Sequence, residues 1–130
     1  MALNVLIVDD SATMRSMVAR MLTMSGLPVG KVHQAGNGKE GIEMLEREWV
    51  DIVFADINMP VLSGLDMIRY IREHPHLDNL PIVVISTESS EERIKEVQRL
   101  GVQFIHKPFT PEQVRAVVQS MLGGLPNATA

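Results

Sequence analysis

Two short apolar runs in this chain each end in carboxylates. Residues 5–8 are followed by Asp9 and Asp10, and residues 52–55 are followed by Asp56. Such runs predict buried parallel strands, whose carboxyl ends meet at the ligand-binding edge of an open α/β sheet. We therefore expect the three carboxylates to share one crevice, where like charges raise each other's pKa unless a cation compensates them. Oxygen ligands of this kind favour a hard divalent cation.

Two further strand ends place complementary groups at the same edge. The fourth apolar run is followed by the hydroxyls of Ser86 and Thr87, and the fifth leads to Lys107. A lysine within an apolar stretch supplies the counter-charge that the carboxylates need. Carboxylate, hydroxyl and ammonium together fit phosphoryl transfer, in which Mg²⁺ and a lysine spread the charge of the transition state. We interpret Asp56 as the carboxylate that accepts the phosphoryl group.

Five apolar runs alternate with amphipathic segments along the chain. The alternation predicts a strand and a helix repeated five times, which gives an α/β fold with a parallel sheet between two helical layers. The crevice then gathers the ends of the first, third, fourth and fifth strands. The predicted strands cover residues 4–8, 31–35, 51–55, 81–85 and 102–105.

Capping residues mark the predicted helix boundaries. A polar cap with a carboxylate or amide three residues later satisfies the unpaired amides of a first helical turn. Glycine is typical of the left-handed residue that closes a helix. The predicted N-caps with their partners are Asn37 with Glu40, Ser63 with Asp66, Ser89 with Glu92 and Thr110 with Gln113, and the predicted stops are Gly26, Gly101 and Gly123.

The composition indicates one folded domain without a nucleic-acid or membrane partner. The 130 residues are 45% hydrophobic and 22% charged, and the net charge is −4. This balance disfavours binding to anionic polymers and anionic membrane surfaces. The sequence has no Cys, no signal-peptide pattern and no apolar run near the ~18 residues of a spanning helix. We expect a cytoplasmic protein in which residues 1–122 form the domain and residues 123–130 a flexible tail.

A methionine stripe on the first predicted helix admits two interpretations. One is a soft groove for a partner protein. The other is core packing, because the helix must bury one face against the sheet and methionine fills irregular gaps well. We favour core packing. The stripe consists of Met14, Met17, Met21 and Met24.

Two other motifs are interpreted as structural. Residues 36–41 match Gly-x-Gly-x-x-Gly, but the preceding strand is second in the chain, and the chain is too short for both halves of a dinucleotide-binding domain. We predict a strand-to-helix turn there instead. His74 and His76 flank a proline in a polar loop, and His33 and His106 lack an identifiable partner, so no histidine is assigned to a metal.

The motifs together resemble the receiver domain of bacterial two-component response regulators, over essentially the whole chain. Residues 8–15 and Asn58 are most similar to the single-domain, CheY-like chemotaxis members of that family. The resemblance implies a flavodoxin-like fold with strand order 2-1-3-4-5. The residues that carry it are Val8, Asp9 and Asp10, Asp56 with Met59, Pro60 and Gly64, the hydroxyl after the fourth strand, and Lys107, Pro108 and Phe109.

The resemblance also implies a phosphorylation site. A histidine kinase or a histidine phosphotransfer protein would phosphorylate Asp56. Asp10, Asp56 and the backbone carbonyl of Asn58 would bind Mg²⁺, with Asp9 acting through water. Lys107 would pair with a phosphoryl oxygen, and the bond between it and the following proline would be cis.

A switch at the fourth and fifth strands follows from the same resemblance. Phosphorylation adds about −1.5 to −2 charges and three acceptor oxygens. Ser86 is expected to bond one of them, so that Phe104 turns inward and the surface of the fourth helix, fifth strand and fifth helix changes for a downstream protein target. We favour Ser86 over Thr87 because it directly follows the apolar run. Asn58, Thr87 and Glu88 are expected to modulate the reaction, and Asn58 with Glu88 implies a short-lived acyl phosphate.

Other functions stay open at this point. A phosphorelay shuttle or phosphate sink would return its phosphoryl group to a histidine phosphotransfer protein. A Mg²⁺-dependent phosphatase of the haloacid-dehalogenase kind normally carries a second Asp two residues after the first, where this chain has Asn58. An interaction module independent of phosphorylation needs no acid, hydroxyl and lysine set. We favour a phosphoacceptor signalling protein rather than an enzyme.

Overall fold

The computed structural model of the protein describes residues 2–59 and 61–122; residues 123–130, predicted to be a flexible tail, lie outside the described residues. Within the described residues, five strands alternate with five helices, as predicted. The strands are β1 Leu3–Val8, β2 Val29–Ala35, β3 Ile52–Ala55, β4 Ile82–Ser86 and β5 Gln103–His106. The helices are α1 Ala12–Met24, α2 Gly38–Arg47, α3 Gly64–Glu73, α4 Glu91–Gln98 and α5 Pro111–Met121.

The strands form one parallel sheet in the order β2-β1-β3-β4-β5, so the predicted flavodoxin-like topology is confirmed. Val8 pairs with Ala55 between β1 and β3. Ser86 pairs with His106 between β4 and β5. Because these pairs stand at the carboxyl ends of their strands, the residues that follow them leave the sheet at one common edge.

The helices cover both faces of the sheet. Helices α1 and α5 bury Val18 and Val114 against one face, which includes Phe54. Helices α2, α3 and α4 cover the other face, where Val53 and Ile68 belong to a second core. Adjacent residues of β3 enter opposite cores because side chains alternate along a strand. The central strands are therefore apolar on both faces, which accounts for the continuous apolar runs in the sequence.

Strand β2 is longer than predicted and lies at the edge of the sheet. It begins at Val29, two positions before the predicted start, and ends at Ala35 as predicted. Lys31, Val32 and Gln34 are exposed. An edge strand with this exposure has no continuous apolar pattern, so its first residues were not recognised in the sequence.

Most predicted helix boundaries are confirmed. Gly26 and Gly101 adopt positive φ angles of 81° and 75° just after α1 and α4, while Gly123 lies outside the described residues. The side chain of each confirmed N-cap accepts a hydrogen bond from the backbone three residues later, and the last of them forms a complete capping box with Gln113. These N-caps are Asn37, Ser63 and Thr110.

The predicted cap of α4 is wrong by one residue. Ser90, rather than Ser89, caps the helix and accepts a hydrogen bond from the Arg93 amide at 3.4 Å. The Ser90 amide itself donates to the carboxylate of Glu88 at 3.2 Å. This bond keeps Ser89 in the loop, so the helix begins one residue later.

The methionine stripe of α1 is not core, contrary to the prediction. Met17 and Met24 are 42% and 63% exposed. The buried residues of α1 are Val18 and Leu22, and Met21 packs only partly against that core. The buried face is centred on the four-residue step from Val18 to Leu22, and the stripe runs along one border of that face.

The loop after β3 folds back tightly at Gly64. The amide of Gly64 donates to the carbonyl of Ile57 at 2.8 Å. A Cβ at position 64 would collide with the backbone carbonyl of Asp56. The conformation of the loop that carries Asp56 therefore requires glycine at this position.

We predict that Gly64→Ala destabilises the protein by about 1–3 kcal/mol, because the added methyl group displaces the backbone next to Asp56. The free energy of unfolding in urea measures the change. Gly36→Ala is the matched control: its Cβ would meet the Glu40 carboxylate at an ordinary 3.4 Å. An equal loss of stability in both variants would contradict the explanation.

Candidate functional site

The site lies at the carboxyl edge of the sheet, where β1 and β3 end side by side. The amide of Asp9 donates to the carbonyl of Ala35, and the amide of Asp56 donates to the carbonyl of Val8, each at 3.1 Å. These bonds continue the strand pairing by one residue. The backbones of both acidic residues are thus anchored by the sheet.

The carboxylates of Asp9 and Asp56 are held in the same way. One oxygen of Asp9 accepts from the Ser11 amide at 2.9 Å, and one oxygen of Asp56 accepts from the Ile57 amide at 2.6 Å. The second oxygen of each points toward Lys107. Its Nζ lies 3.5 Å from Oδ2 of Asp56 and 4.0 Å from Oδ2 of Asp9. The structure therefore brings together three of the predicted site residues.

Lys107 reaches the carboxylates because its backbone is fixed beside β4. Its amide donates to the carbonyl of Ser86 at 2.9 Å. The bond to Pro108 is cis, as predicted. Phe109 then enters the core beneath α1 and α5, where it is buried. The lysine side chain is left 17% exposed beside the two acids.

The hydroxyl of Ser86 lies at the same edge. Ser86 is the last residue of β4 and is 1% exposed, while Thr87 is exposed. The Ser86 hydroxyl accepts a hydrogen bond from the Glu88 amide at 3.1 Å. Burial at the strand end favours Ser86 over Thr87 as the hydroxyl that faces the site.

The side chain of Arg93 contacts two of the residues predicted to modulate the site, and these contacts were not foreseen from the sequence. It lies in the first turn of α4, with its Nε 3.0 Å from a Glu88 carboxylate oxygen. Its Nη2 lies 3.5 Å from Oδ1 of Asn58. Arginine in a first helical turn has no distinctive sequence signal, since its position over the site depends on how the preceding loop folds.

Phe104 lies on β5, two residues before His106. Its side chain is half-buried against the core beneath α2, α3 and α4. The centroid of its ring is 6.4 Å from that of His106, which is exposed. This position, between the core and the surface beside α4, is compatible with the role expected for Phe104 as a switch.

The buried acid pair has an electrostatic cost. Burial raises the pKa of Asp9 above its usual value, and the neighbouring Asp56 carboxylate raises it further. The hydrogen bond from Ser11 and the ammonium of Lys107 lower the pKa of Asp9 in part. The site therefore holds a carboxylate whose charge is incompletely compensated by the protein.

The oxygen donors of the site fit Mg²⁺. Within residues 2–59 and 61–122, no three His, Cys, Asp or Glu side chains form a group that would hold a metal unaided. Asp10 is exposed, and the interaction of its side chain with the Asp9 carboxyl group also raises the pKa of Asp9. Mg²⁺ does not need such a group, because it commonly binds one or two carboxylates and takes its other ligands from water and phosphate. The uncompensated Asp9 charge also favours a cation here.

Among the residues that the structure describes, the other sequence motifs form no second site. The amide of Gly36 donates to the Glu40 carboxylate at 2.9 Å, so the glycine-rich turn is closed by an acid, which would repel a phosphate. His74 and His76 lie in the loop after α3.

A cavity of about 650 Å³ opens at the opposite edge of the sheet, beside Trp49 and Leu80, so it is separate from the acids. No helix of the described chain has the length and apolar character needed to cross a bilayer.

A family comparison agrees with this geometry. Residues 5–119 match the family described as the response regulator receiver domain. A chemotaxis protein CheY homolog of Campylobacter jejuni is 32% identical over 123 residues, which cover 93% of each chain. Chemotaxis protein CheY-3 of Vibrio cholerae is 37% identical over 109 residues, which cover 83% of this chain and 82% of that protein.

Solved structures show the same fold. The chemotaxis response regulator CheY4 of Vibrio cholerae superimposes with a TM-score of 0.80 at 30% identity. The match covers 93% of this chain and 99% of that one. A response regulator receiver protein from Pseudomonas putida matches with a TM-score of 0.81 at 29% identity, over 92% of this chain and 98% of that one.

We predict that Asp9→Asn stabilises the metal-free protein at neutral pH by on the order of 1 kcal/mol, because it removes an incompletely compensated buried charge. The raised pKa of Asp9 means that the folded state holds the proton more tightly than the unfolded state. Stability of the wild type relative to the variant therefore falls as pH rises from the ordinary value of 3.8 through the raised pKa.

Urea unfolding in the presence of EDTA, repeated from pH 3 to pH 8, measures the difference. Asp10→Asn is the control, since Asp10 is exposed and its replacement should change stability by less than about 0.5 kcal/mol. A stabilisation of Asp9→Asn that grows as the pH falls would contradict the prediction.

Proposed function

Because the chain belongs to the response regulator receiver domain family and is CheY-like, we propose that it signals by accepting a phosphoryl group on Asp56. The donor would be a histidine kinase or a histidine phosphotransfer protein. The phosphorylated protein would then bind a downstream protein target. Relatives named as chemotaxis proteins support chemotaxis as the pathway.

One observation carries the proposal. The ammonium of Lys107 lies 3.5 Å from Oδ2 of Asp56, at the edge of the sheet where the buried Ser86 ends β4. A carboxylate is a weak nucleophile toward an anionic phosphate unless the negative charge is screened. Lys107 supplies a fixed positive charge where the phosphoryl oxygens would arrive.

The reaction transfers a phosphoryl group from the donor to the carboxylate of Asp56. An oxygen of Asp56 forms a bond to phosphorus while the bond between phosphorus and the donor breaks. With phosphohistidine, the P–N bond breaks and the imidazole keeps the electron pair and takes up a proton. With acetyl phosphate, the P–O bond breaks and acetate leaves. The product is a mixed anhydride of the Asp56 carboxyl group and phosphate.

The protein orients Asp56 before the donor arrives. Its Oδ1 accepts from Ile57 at 2.6 Å, which directs Oδ2 toward Lys107. Asp10, Asp56 and the backbone carbonyl of Asn58 would hold Mg²⁺, with Asp9 acting through water. When bound, Mg²⁺ would neutralise charge on the transferring phosphoryl group. Lys107 would stay paired with a phosphoryl oxygen in the product.

The response to phosphorylation would begin at Ser86. In the present structure its hydroxyl accepts from the Glu88 amide. A phosphoryl oxygen on Asp56 would attract the Ser86 hydroxyl as a donor, and the loop after β4 would move with it. That movement makes room for Phe104, which packs half-buried beside α4. A bias of a few kcal/mol is enough to change which state of the α4, β5 and α5 surface is populated.

We predict that the wild type, incubated with acetyl phosphate and Mg²⁺, gains the mass of one labile phosphoryl group, because Asp56 is the acceptor. Asp56→Asn should gain none. Removal of Mg²⁺ with EDTA should abolish the adduct on the wild type. Intact-protein mass spectrometry measures all three samples.

Asp10→Asn tests the Mg²⁺ requirement separately, because it keeps the acceptor but removes a proposed Mg²⁺ ligand. It should form the adduct only at higher Mg²⁺ concentrations. An adduct of undiminished amount on Asp56→Asn would refute the assignment of the acceptor. No adduct on folded wild type with Mg²⁺ and either acetyl phosphate or a histidine kinase would refute the proposed function.

Ser86→Ala should uncouple phosphorylation from the switch, because it removes the hydroxyl that bonds the phosphoryl oxygen. The ¹⁹F NMR spectrum of fluorophenylalanine-labelled protein reports on the three phenylalanines. On phosphorylation the Phe104 signal, assigned with Phe104→Leu, should shift in the wild type and much less in Ser86→Ala. Thr87→Ala is the control and should retain the shift. The opposite result would identify Thr87 as the switch hydroxyl.

A further inference from the structure

An arginine at the start of α4 connects the loops that follow β3 and β4. Arg93 Nε contacts the Glu88 carboxylate at 3.0 Å in the loop after β4. Its Nη2 lies 3.5 Å from the side-chain oxygen of Asn58 in the loop after β3. Asn58 and Glu88 belong to two loops that the sheet topology places next to each other, and Arg93 belongs to the first turn of α4.

Hydrogen bonds to neighbouring residues hold both the backbone and the carboxylate of Glu88. The second carboxylate oxygen accepts from the Ser90 amide at 3.2 Å, and the backbone amide of Glu88 donates to the Ser86 hydroxyl at 3.1 Å. The Glu88 side chain is only 17% exposed, while that of Arg93 is 44% exposed. The Glu88 carboxylate is therefore held beside the loop that follows β4.

An uncompensated carboxylate at this place would repel a phosphodonor. The donor is anionic, and the pocket already contains Asp9 and Asp56 with one lysine between them. A further negative charge at this edge of the sheet raises the energy of an anion that approaches Asp56. Arg93 is the side chain that offsets the charge of Glu88.

We propose that Arg93 is a positioning residue that masks Glu88 and ties it to Asn58, and thereby sets the rate at which anionic phosphodonors react with Asp56. This inference rests on the proposed function. Arg93 does not touch the reacting atoms; it acts through Glu88 and Asn58. The contact also links α4 to the loop that carries Asp56, so it adds a connection between acceptor and switch surface.

The test is the rate of phosphorylation by acetyl phosphate with Mg²⁺, followed by intact mass, at low ionic strength. Arg93→Ala should slow the reaction about 2- to 5-fold, the range expected from one partly exposed ion pair. Arg93→Lys should be intermediate, because it keeps the charge but loses the second contact. In ~1 M salt, where charges are screened within about 3 Å, the loss should nearly disappear.

Arg69→Ala is the matched control. Arg69 also contacts a glutamate at 3.0 Å, its side chain is 46% exposed, and its removal changes the net charge by the same amount. It contacts Glu96 and Asp66 rather than the loops of the pocket. Arg69→Ala should therefore leave the phosphorylation rate close to that of the wild type.

The Glu88→Gln background shows whether Arg93 acts by masking the charge of Glu88 or only by supporting the structure. In that background there is no charge to mask, so adding Arg93→Ala should slow the reaction much less than it does in the wild type. An equal loss in both backgrounds, or equal effects of Arg93→Ala and Arg69→Ala, would overturn the inference and leave the proposed function intact. Failure of the wild type to form any adduct would overturn both.

Discussion

The attraction between the Lys107 ammonium and the carboxylates of Asp9 and Asp56 is the interaction on which the site depends. Two carboxylates at the end of buried strands repel each other and resist the loss of water. The lysine reduces this cost, and the backbone amides of Ser11 and Ile57 reduce it further. The compensation is incomplete, as the raised pKa of Asp9 indicates. The remaining charge is what makes the pocket suitable for a divalent cation and, with it, a phosphoryl group.

The rest of the fold positions these charges. Parallel pairing places the ends of β1 and β3 side by side, and the amide of Lys107 is bound to the end of β4. Gly64 lets the loop after β3 return close to Asp56 without a collision. A rigid, doubly covered sheet thus carries the reactive groups on short loops, an arrangement in which backbone hydrogen bonds fix the direction of each side chain.

The loop after β4 connects the buried end of that strand to the protein surface. The amide of Glu88 donates to the Ser86 hydroxyl, and the Glu88 carboxylate accepts from the Ser90 amide and pairs with Arg93. Arg93 belongs to α4, a helix whose described buried residue is Val97 alone. A helix held by few buried contacts can shift at modest cost when a loop bond at its start is exchanged. The start of α4 thus combines the two properties of a two-state element, few buried contacts and a loop bond that can be exchanged.

Much of the fold and the site was predictable from the sequence because strong local patterns report them. Continuous apolar runs identify strands covered on both faces, and the acids, hydroxyl and lysine at their ends identify a common edge. Caps at Asn37, Ser63 and Thr110 are local and were predicted correctly. Three features were not predicted correctly: the cap of α4, the start of β2 and the exposure of Met17 and Met24. Each depends on packing or on a loop hydrogen bond between residues that local patterns do not relate.

The sequence by itself determined that acids, a hydroxyl and a lysine stand at the carboxyl ends of buried strands, since residue type and the apolar pattern suffice for that. Only the tertiary structure decided how they meet. It left Asp10 exposed, set Lys107 beside both Asp9 and Asp56, and brought Arg93 to Glu88 and Asn58. The physical reason is that distances and burial, which govern electrostatic energies, arise from contacts between segments far apart in the chain.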